Sequence, residues 1–184
     1  MTLKQDNLRF AFFHELEISN EMRDSIRTIL KTNFGFYPTA TDYTHQIPHA
    51  RILAFDGTQL IGHLALHLRS IRIDKKAFEI LGLSDFCIET EYRRQGAARN
   101  IFHVLMPIFL QSGKDALLTF AQEPAFYFSL GFKQISCRCR WLMIQEQQSL
   151  GVLDRYMESG LMAFSHKAEL FDQITMIDFL GAPF

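Results

Sequence analysis

The stretch EYRRQGAARN, residues 91–100, gathers small residues and positive charge between an apolar run, LGLSDFCIE, and a helical segment, RNIFHVLMPIFLQ. A helix that starts near Ala97 leaves its first backbone N–H groups without partners, and its dipole is positive there. Gly96 and Ala98 take away side-chain bulk, while Arg93, Arg94 and Arg99 add charge around the same point. Phosphate or pyrophosphate is the guest such a junction suits. The same residues also suit an ordinary tight turn. A second chemical oddity is Asp85, a carboxylate inside the otherwise apolar LGLSDFCI; it reads as a base or as the anchor of a cationic group. Glu79 lies on the same run, and His63 and His67 fall on one face of the preceding one, where an imidazole could also serve as base.

Several elements must position these groups. Residues 7–16 read as a first strand, and 18–35 as a helix with Ser19 or Asn20 as N-cap and Met22, Ile26, Ile29 and Leu30 on one stripe. Residues 36–50, with two prolines, read as a loop. The segment 51–74 holds two apolar runs around DGTQ, a hairpin signal. Residues 78–93 form a long strand in which Gly82 marks a bulge or a close approach. Ile101, Phe102, Leu105, Ile108 and Phe109 give the next helix its apolar stripe, and Pro107 is expected to kink or shorten it. A buried strand at 115–121, a short helix ending at Gly131 and an alternating strand at 133–145 follow. Residues 147–160 read as helix or turn and 161–166 as a last strand; the tail from Lys167 has no assignment. The fold class is α+β, three layers α/β/α, with a mixed, mostly antiparallel sheet of six to seven strands. The strand–helix–strand segment 79–121 demands a parallel crossover.

Composition narrows the field. A chain of 184 residues with 48% hydrophobic and 21% charged residues suits a single globular domain, 1–184, with its core at about 7–166. A net charge of −1 argues against a general nucleic-acid binder. The 18 phenylalanines imply an apolar core or an apolar ligand channel. Cys87, Cys137 and Cys139 have no metal-ligand spacing, so no metal is expected; Cys137 and Cys139 would share a strand face. The odd cysteine count, the absence of a signal-like start and of any long apolar window lead to the expectation of a cytoplasmic protein without a membrane span.

The run R-R-Q-G-A-A resembles the Arg/Gln-x-x-Gly-x-Gly/Ala signature of the GCN5-related N-acetyltransferases (GNAT), with Arg93, Gly96 and Ala98 at its defining places. About thirty residues on, AFYFSLGF is similar to that family's aromatic helix closing on Gly-Phe, with Tyr127 four residues before Gly131. The likeness covers roughly residues 7–145, and the order of elements agrees. Ala98 stands where glycine is commoner. A looser likeness, over 50–74 and in the later LGL and HVLMPIFLQ, runs to the nodulation acyltransferase NodA, a GNAT-like protein that moves fatty acyl chains; it leaves a longer acyl donor open.

The GNAT resemblance implies an enzyme that passes an acetyl, or longer acyl, group from acyl-CoA directly to a primary amine. It implies that backbone donors of Gln95, Gly96, Ala97, Ala98 and Arg99, with Arg93 and Arg94 beside them, hold the pyrophosphate. It further implies that the main chain of Phe86, Cys87 and Ile88 binds pantetheine, Ile88 N–H donating to the thioester carbonyl. Tyr127 becomes the acid at the departing sulfur, although an aromatic packed between helix and sheet is the alternative reading. Asp85 is the preferred base. The partners implied are acyl-CoA and a small-molecule or protein amine, with a homodimer left open. The competing reading is a CoA-binding sensor or interaction module of the same shape without turnover.

Overall fold

The computed structural model describes residues 7–35, 37, 40–167 and 169–184. The chain divides into two compact units, 1–66 with 85–111, and 67–84 with 112–184; the third and fourth strands contribute residues to both.

The first unit contains β1 (Leu8–His14), α1 (Asn20–Asn33), β2 (Ala50–Asp56), the start of β3 (Gln59–Ile73), the end of β4 (Lys76–Ile88) and nearly all of α2 (Ala97–Ser112). β1 pairs antiparallel with β2, and β2 with β3, through the turn the DGTQ signal predicts. Ser19 caps α1, its Oγ accepting from Met22 N–H at 3.2 Å. Ile26, Ile29 and Leu30 of α1 then pack with Leu53, Phe55, Leu60, Tyr37 and Cys87. Gly62 serves a close approach: a Cβ there would stand 2.7 Å from Ile88 Cδ1 and 3.2 Å from Ile101 Cδ1. That contact seats the end of β4 and the start of α2 on β3. α2 buries Ile101, Phe102, Leu105 and Phe109 as its stripe requires. Pro107 does not shorten it; the helix runs on to Ser112, with the ring on the exposed side, where water can satisfy the carbonyl that loses its partner.

The second unit holds the rest of β3 and β4, then β5 (Ala116–Phe120), α3 (Pro124–Phe128), β6 (Lys133–Gln134), β7 (Cys137–Gln145), β8 (Gln148–Met157), β9 (Leu161–Phe164) and β10 (Met176–Asp178). Strand order is β6-β9-β5-β4-β3-β10-β7-β8. β4 and β5 are parallel, Ile80–Leu83 against Ala116–Thr119, as the crossover demands. The fold is thus α+β around a mixed sheet. Its core gathers Ile71, Ile80, Leu118, Cys137, Cys139, Leu161, Ile177, Phe179 and Phe184 among others. Cys137 and Cys139 do share a face, with their sulfurs 3.7 Å apart.

Three differences from the sequence reading have physical reasons. Residues 148–157 are strand β8 rather than helix or turn: most of its side chains are exposed on both faces, so no apolar alternation marks it. Its hairpin turns on Glu146 and Gln147, both at positive φ, without the Asn-Gly that usually announces such a turn. The tail supplies β10, inserted between β3 and β7, and Phe179 and Phe184 fill core space. Strands β6, β8 and β10 bring the total among described residues to ten rather than six or seven. Of the two readings offered for Gly82 the close approach holds, since a Cβ there would lie 2.3 Å from the Phe184 ring.

Candidate active site

α2 opens the way the junction motif requires. Gly96 has φ +88°, a conformation that favours glycine, and a Cβ placed on it would meet nothing within 4 Å. Arg94 is also left-handed, at φ +60°. Asn100 N–H bonds to Gly96 C=O at 3.0 Å, so the N–H groups ahead of it have no intrahelical acceptor. Ala97 is buried, Gln95 and Ala98 are half-buried, and Arg94 and Arg99 are exposed. Arg93 does a different task from a free counter-charge. Its Nε donates to Ile88 C=O at 2.8 Å and its Nη2 to Asn33 Oδ1 at 2.6 Å, which ties the loop to the last residues of β4 and α1.

The end of β4 leaves regular strand geometry at one residue. Its ladder with β5 stops at Leu83, and Asp85 has φ +52°, a strand residue in the left-handed region. Glu89 N–H points to β3, bonding to Ile61 C=O at 2.8 Å, whereas Ile88 C=O points the other way, to Arg93. By strand alternation the N–H groups of Phe86 and Ile88 then project away from β3. The Cys87 side chain is buried in a core cluster, and burial together with the charges of Asp85 and Glu89 pushes its thiol well above the usual range.

Asp85 lies over a buried polar network that the sequence reading did not find. Tyr37 Oη donates to Asp85 Oδ2 at 2.9 Å, and burial, then the Asp85 charge, pushes the Tyr37 phenol upward. His63 Nδ1 is 2.8 Å from Asp85 C=O, and its Nε2 is 3.0 Å from Arg51 Nη1. Arg51 is 0% exposed and also donates to Glu15 Oε2 at 2.8 Å, Asp42 Oδ2 at 3.0 Å and Asp42 C=O at 3.0 Å. Arg23 Nη1 joins the same carboxylates, at 2.6 Å to Glu15 and 2.9 Å to Asp42. Two guanidiniums thus face two carboxylates, and the cluster is neutral. His63 is occupied at both nitrogens, which removes it as a base. The missed signal was Arg51 inside ARILAF, a charge in an apolar run, the same anomaly that singled out Asp85.

In the second unit, Tyr127 is 7% exposed on α3, packed edge-to-face against Phe126 and Phe132 with centroids 5.5 and 5.4 Å apart. Its hydroxyl is hydrogen-bonded to Thr119, whose own proton goes to Leu83 C=O at 3.0 Å. Burial raises the phenol above its ordinary value, so it keeps its proton at neutral pH. His67 Nε2 lies 3.0 Å from Ser84 Oγ, and Glu79 pairs with Lys114 at 2.7 Å.

A mixed sheet with a parallel β4–β5 step, and a helix opening on a left-handed glycine beside arginines, define the class of acyl transferases that use this architecture. A family model described as "Acetyltransferase (GNAT) domain" matches residues 17–135, and the chain belongs to that family. The structure is similar to that of the GNAT N-acetyltransferase YhbS from Escherichia coli, solved in complex with CoA. The TM-score is 0.63 at 16% identity over 97% of this chain and 93% of that one. It is also similar to Escherichia coli ElaA, with TM-score 0.59 and 13% identity over 85% of this chain and 98% of that one. A GCN5-related N-acetyltransferase from Kribbella flavida has TM-score 0.57 at 12% identity over 72% of this chain, which spans only 34% of that longer protein. At these identities the likeness establishes the fold. Among the described residues no helix is long and apolar enough to cross a membrane.

Proposed function

We propose that the protein transfers an acetyl group from acetyl-CoA to a primary amine, by direct attack without an acyl-enzyme. The observation that carries the proposal is the α2 start, where Gly96 at φ +88° has open space beside it and the first amides lack an intrahelical acceptor. The N–H groups of residues 95–99 would bind the pyrophosphate, with the exposed Arg94 and Arg99 adding charge. The β4 main chain at Phe86–Ile88 would take the pantetheine arm, Ile88 N–H polarising the thioester carbonyl. The amine nitrogen attacks the carbonyl carbon, and its proton passes to the Asp85 carboxylate. The C–S bond then breaks and the thiolate takes up a proton, the role for which the GNAT resemblance names Tyr127.

Isothermal titration with CoA and acetyl-CoA tests the first step, and release of free thiol across a panel of amines tests the second. Binding of CoA with turnover on at least one amine is the expected result. A chain that takes up no heat with CoA overturns the reading. Tight CoA binding with no thiol release from any acetyl or longer acyl donor would reassign it to a binding module.

A further inference from the structure

We propose that His63, set in its Nδ1–H tautomer by Arg51, is a positioning residue that aims the main chain of β4 at its ligand. The proposal rests on the reading that Phe86–Ile88 bind the pantetheine arm, and it concerns how their direction is set.

The argument starts from donor and acceptor chemistry. A guanidinium has only donors, so His63 Nε2, 3.0 Å from Arg51 Nη1, must accept and carry no proton. A carbonyl has only acceptors, so His63 Nδ1, 2.8 Å from Asp85 C=O, must donate. The ring is therefore neutral, with its proton on Nδ1. Protonating Nε2 would set two donors head to head. Arg51 cannot move aside, because Glu15 and Asp42 hold its other N–H groups and it is 0% exposed.

The second step is peptide geometry. Asp85 C=O and Phe86 N–H belong to one planar trans peptide and point in opposite directions. A bond from His63 to that carbonyl therefore turns Phe86 N–H away from β3. The residue that needs holding is the one at φ +52°, a left-handed conformation that a non-glycine residue keeps only where its surroundings fix it. Glu89 N–H on Ile61 and Arg93 on Ile88 C=O pin the far end of the same segment. The segment between the two clamps is the one assigned to the ligand. Apolar side chains could fill this space at similar stability, so a buried ionic network here fits a role in specifying geometry.

Two substitutions separate this from simple packing. Asn at position 63 can keep a donor near Nδ1 and still reach Asp85 C=O. Gln can keep an acceptor near Nε2 for Arg51 but offers Asp85 nothing. In ligand-free protein, imidazole nitrogen spectra should show a neutral Nδ1–H ring from pH 6 to 8. The Phe86 amide signal should be single in wild type and His63→Asn, and broadened or doubled in His63→Gln. CoA titration should give a Kd within about threefold of wild type for His63→Asn and at least about tenfold weaker for His63→Gln, the scale of one misdirected main-chain hydrogen bond. Melting temperatures of the two variants serve as the control for packing. Equal CoA affinities for the two variants, or an unchanged Phe86 signal in His63→Gln, would overturn the proposal. If wild type itself ignores CoA, the transferase reading fails, while the amide spectra still decide whether the clamp exists.

Discussion

Replacing Arg51 with Met measures how much of the first unit depends on its buried charges. Arg51 is 0% exposed, and its donors reach Glu15, Asp42 and His63 over 2.8 to 3.3 Å. Met fills much of the same volume, so a cavity adds little. What remains is two carboxylates, 7% and 4% exposed by residue, sharing Arg23 alone. Removing one partner of a buried pair costs about 3–5 kcal/mol, and the retained Arg23 contacts place this case near about 3 kcal/mol. For a chain of this size that is a fall of about 6–12 °C in melting temperature. Backbone circular dichroism during urea and thermal unfolding is the assay. Trp141, the only tryptophan, reports separately on the second unit. Adding Glu15→Gln to Arg51→Met should cost less than the sum of the two single changes, because the second removes a charge the first left stranded. A loss under about 1 kcal/mol for Arg51→Met, or strict additivity in the double variant, would refute the network.

Gly96→Ala forces a Cβ onto φ +88°, a strain of about 1–3 kcal/mol, and the loop should relax in a way that weakens CoA binding in calorimetry. Unchanged affinity there would separate the glycine from the ligand. Gly82→Ala drives a Cβ to within 2.3 Å of Phe184 and should destabilise by about 1–3 kcal/mol, with Phe184→Leu recovering part of the loss in urea melts. Tyr127→Phe should lower kcat by about 10²-fold or more, with little change in KM for acetyl-CoA. Because burial raises the Tyr127 phenol above its ordinary value, the acid form persists across the neutral range and is lost only on the alkaline side. A basic limb of kcat near pH 8 that disappears in Tyr127→Phe would contradict that assignment.

Local chemistry was readable without coordinates wherever one residue type answers one local demand. A glycine ahead of a helix, a serine cap, an apolar stripe of period 3.6 and a hairpin at DGTQ each follow from short-range sterics and solvation, and each is present. Asp85 was found because a carboxylate in an apolar run has to be compensated. Its compensation was not legible, since Tyr37 and His63 reach it from 48 and 22 positions away. The same distance hid Arg51 with Glu15, 36 positions apart, and the insertion of β10 between β3 and β7. Pairings of that span depend on which strands lie side by side, and short-range periodicity carries no record of it. β8 escaped for the opposite reason: exposed on both faces, it gains its structure from one neighbour's hydrogen bonds and leaves no pattern in its side chains.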